Sequence, residues 1–182
     1  MGSAIEFNDN LTKTIYLNYL NTNIFNNIQI DPAQVKPSQV RYYNVNDDLN
    51  VNGWNIGNRS DNLGAGGLYM SAYDLSSFIS YLNHTEHILT NETRDLLYND
   101  FLGLSDGADP RNNPLTGDKG TYFTKGGSLN NGSPGPFQGV SNRVMMFPND
   151  VEIVFLGNTR GATVTGGSLT NAILQAYDDA WE

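Results

Sequence analysis

Thr121-Tyr122-Phe123-Thr124-Lys125, then Ser141-Asn142-Arg143-Val144-Met145-Met146-Phe147, Pro148-Asn149-Asp150 and Val151-Glu152-Ile153-Val154-Phe155-Leu156 are the segments that decide the fold. From Thr121 the apolar pattern takes a period of two, the spacing that sends successive side chains to opposite faces of a strand. Thr121 to Lys125 reads as one strand and Ser141 to Phe147 as a second, separated by a Gly/Ser/Asn/Pro loop that reaches Gly139. Pro148, Asn149 and Asp150 make a turn into the near-continuous apolar strand Val151 to Leu156, so the last two strands form an antiparallel hairpin. Ser168 then caps a final helix whose Leu169, Ala172, Ile173, Ala176 and Ala180 share one face, narrow enough to lie close on a sheet.

Upstream of Thr121 the signals are helical. Ile15, Tyr16, Tyr19 and Leu20 recur at helical spacing between Leu11 and about Phe25. Residues 28–67, rich in Asn and Gly, read as loop with short strands such as Val40 to Val45. Ser71 can cap a helix in which Asp74, three positions on, reaches back to the cap and meets the positive end of the dipole. Leu75, Phe78, Ile79 and Leu82 then make one apolar stripe. A shorter helix starts at Thr90 and carries Leu96 and Leu97, and loop runs from Gly103 to Gly120. Together these elements predict an α/β domain of the α+β type. Its antiparallel sheet carries the C-terminal helix on one face, and the Ser71 to Asn83 helix lies in a separate helical layer.

The chain has 182 residues, of which 38% are hydrophobic and 16% charged. That length suits a single domain over residues 1–182 that buries roughly 70% of its unfolded surface. The formal net charge is -9, with 10 Lys+Arg against 19 Asp+Glu, so clustered cations for a nucleic-acid backbone are missing. No run nears the ~20 apolar residues of a membrane-spanning helix, so no membrane insertion is expected. The N-terminus lacks the charged-then-apolar order of a secretion signal, and Met1-Gly2-Ser3 reads as a cloning remnant. With no cysteine, the chain has no disulfide staple and no thiolate chemistry. Abundant Asn makes a surface that is polar without being charged, which fits either codon bias in an AT-rich genome or a periplasmic or secreted protein.

Several motifs are decided by what they lack. Asp48, Asn50, Asn52 and Gly53 open like a calcium loop, but the twelfth position is Arg59, where a bidentate carboxylate is required. His84 and His87 flank Glu86 at the end of a helix with no further ligand at a familiar zinc spacing. Gly64, Gly66 and Gly67 lack the third glycine of a dinucleotide loop. No metal and no cofactor is expected. The remaining candidate is Lys125-Gly126-Gly127-Ser128, a lone lysine at a strand end, two residues without side chains and a hydroxyl. There the glycines let a ligand lie against the strand edge and pair with its backbone, while the ammonium attracts an anionic group.

The order of the pieces carries a resemblance. Asn62-Leu63-Gly64-Ala65-Gly66-Gly67-Leu68-Tyr69-Met70-Ser71-Ala72-Tyr73-Asp74-Leu75-Ser76-Ser77-Phe78 resembles the "GAGGL-S-A-DL-F" segment of the class C β-lactamase family, which includes penicillin-binding carboxypeptidases and esterases. Leu89-Thr90-Asn91-Glu92-Thr93 resembles its following helix start, and Phe123-Thr124-Lys125-Gly126-Gly127-Ser128 stands where it has a K-T-G or H-G-G strand. The stretches Met145 to Pro148 and Val151 to Asn158 resemble its last hairpin, and Tyr16 to Ile30 resembles the helix ahead of these elements.

The family's nucleophile lies in S-x-x-K, with lysine helping to deprotonate the serine, and a second element is Y-x-N. Neither stands here in its place. The residues three before Lys13, Lys36, Lys119 and Lys125 are Asn10, Ala33, Thr116 and Tyr122. The triplets Tyr16-Leu17-Asn18, Tyr19-Leu20-Asn21 and Tyr81-Leu82-Asn83 fall inside expected helices.

The resemblance therefore implies the C-terminal, partial portion of a β-lactamase/transpeptidase-like serine hydrolase. The intact protein would transfer or hydrolyse the acyl group of a β-lactam, a D-amino acid peptide or an ester, and this chain alone would be inactive. By the same resemblance Lys125 would orient the substrate's carboxylate, the backbone N–H of Ser128 would supply half of an oxyanion hole, and Gly126 and Gly127 would border the bound substrate. Gly126 stands where the family has Thr or its equivalent, which removes one hydroxyl contact. The expected partners are the acyl substrate and either a missing N-terminal half or a second copy. The rival expectation is a non-catalytic ligand-binding or carbohydrate-binding surface module, with Trp54 as a stacking face.

Overall fold

Three hydroxyls start three of the helices. The side chains of Ser71, Thr90 and Ser168 accept from the backbone N–H of Asp74 at 3.0 Å, Thr93 at 3.3 Å and Asn171 at 3.3 Å. Each thereby satisfies one of the donors that a helix leaves open at its first turn. The computed structural model describes residues 9–30, 41–44, 47–48, 52–55, 63, 68–100, 104, 116–130, 138–160 and 168–181. The chain divides into two units, Met1–Gln39 with Gly57–Ile88 and Val40–Ile56 with Leu89–Glu182.

The first unit is helical. α1 spans Asp9–Asn23 and runs into a 3-10 turn, Phe25–Ile28, closed by Gln29 in the left-handed region at φ 57°. α2 spans Ala72–His84 behind a reciprocal capping box: the Ser71 hydroxyl donates to the Asp74 carboxylate at 2.7 Å, and Asp74 also accepts from the Ser71 N–H at 3.4 Å. Phe25, Ile28 and Ile30 form the core of this unit, with Leu20, Met70, Phe78 and Tyr81 packed around them. Ser71→Ala removes the cap from a carboxylate that is only 8% exposed. The expected cost is about 1 kcal/mol, read as a lower urea midpoint, with Ser71→Thr keeping most of the stability.

The second unit is an α+β body. Its strands are β1 (Arg41–Asn44), β2 (Trp54–Asn55), β3 (Thr116–Gly117), β4 (Gly120–Thr121), β5 (Phe123–Asn130), β6 (Gly139–Phe147), β7 (Val151–Gly157) and β8 (Thr159–Arg160). Its helices are α3 (Asn91–Asn99) and α4 (Leu169–Asp179). β6 is the middle strand, paired antiparallel with β5 on one side and β7 on the other. The turn between β6 and β7 places Asn149 and Asp150 at φ 63° and 58°, the region that Asn and Asp tolerate best after Gly. β1 pairs antiparallel with β2 and bridges β6 at Tyr43 and Gly139.

The sheet departs from the expectation in two places. β1 runs parallel to β8, so the sheet is mixed at that pair. β5 does not end at Lys125: it continues to Asn130, and all eight residues pair with β6. The two glycines stay in the strand because β6 fills the space they leave, as described below.

α4 and α3 cover opposite faces of the sheet. Tyr122, Met145, Phe147 and Tyr177 form the core under α4, with Val151, Ile153, Ile173 and Leu174 around it. Phe147 stacks on Tyr177 at 4.1 Å and 11°, and the Tyr177 hydroxyl donates to the Pro148 carbonyl at 2.8 Å. Of the alanine face expected for α4, Ala176 and Ala180 are exposed. The helix is rotated because the Tyr177 ring, which buries far more apolar area than alanine, takes the inward position. On the other face Tyr98 of α3 meets Phe123 edge-on at 4.6 Å and donates to the Met146 sulfur at 3.4 Å.

Candidate functional site at the edge of β5

Register fixes where each residue of β5 points. Phe123, Lys125, Gly127 and Leu129 share the face covered by α3, while Thr124, Gly126 and Ser128 share the face of α4. Thr124 is 2% exposed and its hydroxyl donates to the Val144 carbonyl at 3.0 Å. Lys125, Gly127 and Ser128 are exposed.

Backbone direction follows from two close approaches. The Leu129 carbonyl lies against Gly139 and the Ser141 carbonyl against Gly157. Leu129 therefore bonds toward β6, while Ser141, the partner of Ser128, bonds toward β7. In an antiparallel pair the bonding direction alternates residue by residue. Gly126 and Ser128 accordingly direct N–H and C=O away from β6, off the outer edge of β5. Among the described residues no other strand pairs with that edge. The two outward N–H groups, two residues apart, are separated by about 7 Å along the strand.

The glycines are not bare. A Cβ on Gly126 would fall 2.9 Å from Nη2 of Arg143 and nearer still to Nη1 and Cζ, so the guanidinium occupies that place. A Cβ on Gly127 would fall 2.9 Å from Oδ1 of Asn142, on the opposite face. β6 thus sends a cation over one side of β5 and a carboxamide over the other. Burial lowers the Arg143 pKa from its ordinary value, yet a guanidinium stays charged at neutral pH. The edge combines the Lys125 ammonium, the Arg143 guanidinium, an amide side chain and two outward N–H groups, an arrangement that can hold a planar anion beside a polarised carbonyl.

Lys125, Gly126, Gly127 and Ser128 therefore lie together on one accessible strand. Sequence reading missed Arg143 and Asn142, because both belong to a strand whose alternation says only which face they share. The glycine pair was the available signal: a strand that keeps two glycines leaves room for something to cross it.

The other motifs stand apart. Gly53 is packed against Tyr42 and Tyr43, and the Trp54 ring meets that of Tyr42 at a tilt, 5.9 Å and 57°. Asn50, Arg59, Gly64, Gly66 and Gly67 lie outside the described residues, as do Met1 to Ser3 and the loop at 131–137. His87 meets Tyr81 edge-on at 5.5 Å. Among the described residues no group of three or more His, Asp or Glu could hold a metal ion, and no helix is long and apolar enough to cross a membrane. The three Tyr-x-Asn triplets lie in α1 and α2.

One half-buried tyrosine on α3, Tyr98, gives a pH signature. Burial, with added repulsion from Glu152, pushes the Tyr98 hydroxyl from 10.0 up to about 12. The fold favours the neutral phenol, so its contribution is fully present below pH 10 and is lost as the pH rises toward 12. Tyr98→Phe should accordingly lose less of its urea midpoint than the parent between about pH 9 and about pH 11.5. Equal losses in the two chains would exclude Tyr98 as a source of the alkaline sensitivity. Comparison of the whole chain with family models, curated proteins and solved structures found no match.

Proposed function

We propose that this chain is the C-terminal part of a β-lactamase-like serine hydrolase, and that the edge of β5 is its docking rail for the acyl donor. The observation that carries the reading is the open edge itself: Lys125 exposed beside it, Gly126 and Ser128 directing N–H groups off it. The layering of α3, sheet and α4 around that strand supports a β-lactamase/transpeptidase-like fold in part.

In this mechanism the attacking serine and its S-x-x-K lysine are on polypeptide outside these 182 residues. The serine oxygen adds to the acyl carbonyl while the lysine takes its proton, and the leaving amine or alkoxide departs with a proton. The Ser128 N–H stabilises the tetrahedral oxyanion, an interaction whose loss in such sites costs about 10²–10³ in rate. Lys125 holds the substrate's carboxylate, and water then releases the acyl group. The missing polypeptide, or a second copy, would also cover apolar surface such as Leu11, Ile15 and Tyr19. These stand 57%, 59% and 60% exposed at successive i+4 positions on α1.

The test has two arms. The chain alone should bind benzylpenicillin reversibly, with weak affinity that Lys125→Ala reduces, and should turn over neither nitrocefin nor p-nitrophenyl esters. Turnover by this chain alone refutes the assignment of the nucleophile to other polypeptide. Absence of binding, or binding indifferent to Lys125, refutes the rail.

A further inference from the structure

We propose that the chain forms a two-fold homodimer by pairing the outer edge of β7 with the same edge of a second copy, centred on Val154. The inference goes beyond the reading of β5 as a docking rail and does not depend on it.

The direction of the β7 backbone fixes which groups it offers. The Ser141 carbonyl lies against Gly157, its partner in register, so that pair bonds across to β6. Alternation then turns Val151, Ile153 and Phe155 toward β6 and sends the N–H and C=O of Val154 and Leu156 off the other side. Among the described residues no strand pairs with that side. Edge strands of monomeric proteins are commonly blunted by lysine, proline or a bulge. β5 carries Lys125, whereas Val151–Gly157 holds no lysine and no proline and pairs with β6 without a bulge. Instead Phe155 and Leu156 stand 40% and 37% exposed, on opposite faces of the sheet.

The open length is symmetric, and this selects a second copy as its occupant. It is bounded at Asp150, which turns at φ 58°, and at Asn158, whose carbonyl accepts from the Tyr43 N–H of β1. The midpoint of Val151–Gly157 is Val154, whose backbone faces outward. An antiparallel copy related by a two-fold axis through that residue places Val154 opposite the partner's Val154, where the two exchange both backbone bonds. Leu156 then stands opposite the partner's Glu152, and Phe155 opposite the partner's Ile153. Glu152 is the strand's one charged residue. In this register it never meets itself, so a chain of net charge -9 escapes like-charge repulsion along the seam. Phe155 gains a β-branched cross-strand neighbour, a pair type that stabilises antiparallel sheets. A seam of 7 residues buries less than the ~800 Å² per partner of a standard interface, so the dimer is reversible and concentration-dependent.

Sedimentation of the full chain over a concentration series should show a monomer–dimer equilibrium. Val154→Pro removes the central outward N–H while leaving the bonds to β6 in place, and should weaken dimerisation at least about 10-fold. Val154→Lys sets two ammonium groups opposite each other and should do the same. Thermal melts identify a variant that fails to fold. Because the chain has no cysteine, Val154→Cys gives a position-resolved reading. Oxidised glutathione should join two copies there, since directly paired Cα atoms lie about 5.5 Å apart. Leu156→Cys, whose two copies lie about 13 Å apart along the seam, should stay unjoined. Absence of a dimer at every concentration overturns the proposal. So does a dimer that persists in both Val154→Pro and Val154→Lys, or one in which Leu156→Cys cross-links as readily as Val154→Cys. Assembly that grows past two copies overturns it as well, because a two-fold seam closes on itself. Benzylpenicillin binding should be the same in Val154→Pro as in the parent, so loss of the seam and loss of the rail are read separately.

Discussion

A Phe147→Ala variant is expected to lose about 3–5 kcal/mol, a large fraction of the roughly 5–15 kcal/mol of an ordinary domain. Phe147 is 7% exposed and stacked on Tyr177 at 4.1 Å, with the Tyr122 ring 5.6 Å away and tilted by 34°. Truncation leaves a void between sheet and helix that neither aromatic neighbour can fill without leaving its own contacts. It also removes ring pairs worth about 0.5–1.5 kcal/mol each beyond the area they bury. For a chain of this size each kcal/mol shifts the melting point by about 2–4 °C, so a drop of roughly 10 °C should appear in a thermal scan. Tyr177→Phe is the companion: it keeps the stack, deletes the hydrogen bond to the Pro148 carbonyl and should cost only about 1 kcal/mol. If Phe147→Ala costs no more than Tyr177→Phe, α4 is not held through that ring.

The second large effect is functional. Lys125→Ala should weaken benzylpenicillin binding about 10- to 100-fold, the worth of a hydrogen bond to a charged group in a partly desolvated site. Its side chain is exposed and no hydrogen bond or ion pair joins it to another described residue. The same change should therefore move the urea midpoint by no more than about 0.5 kcal/mol of stability. Separation of the two readouts is the point of the measurement. Raising the salt concentration should weaken binding to the parent chain and hardly affect the variant, since the attraction lost is Coulombic. A Lys125→Ala chain that binds as tightly as the parent would leave the open edge without a ligand.

Much of the fold was legible along the chain. The β6–β7 hairpin was readable because alternation and the Pro148-Asn149-Asp150 turn agree, and the caps at Ser71, Thr90 and Ser168 were readable because they act within three residues. What escaped depends on partners distant in sequence. The glycines of β5 look like a loop until Arg143 and Asn142 are seen to fill their space. The face of α4 looked like alanine until the Phe147 ring claimed Tyr177. Tyr98 gave no signal at all, because its position is set by Phe123 and Met146 on another element. The candidate site divides in the same way: Lys125 and Ser128 are announced by a strand followed by glycine, while the groups flanking them come from the next strand.

The parallel pairing of β1 with β8 has a consequence for how the protein is made. Arg41 receives a hydrogen bond from Asn158, 117 positions later, and the Tyr43 N–H donates to the Asn158 carbonyl beside it. A ribosome adding about 5–20 residues per second delivers that partner roughly 6–23 s after Arg41 has been polymerised. Throughout the interval Tyr42 and Trp54 wait on a short ribbon with one unsatisfied edge, a natural client for a holding chaperone. Pulse-labelled translation should therefore show protease resistance around Arg41 appearing only once Arg160 has cleared the exit tunnel.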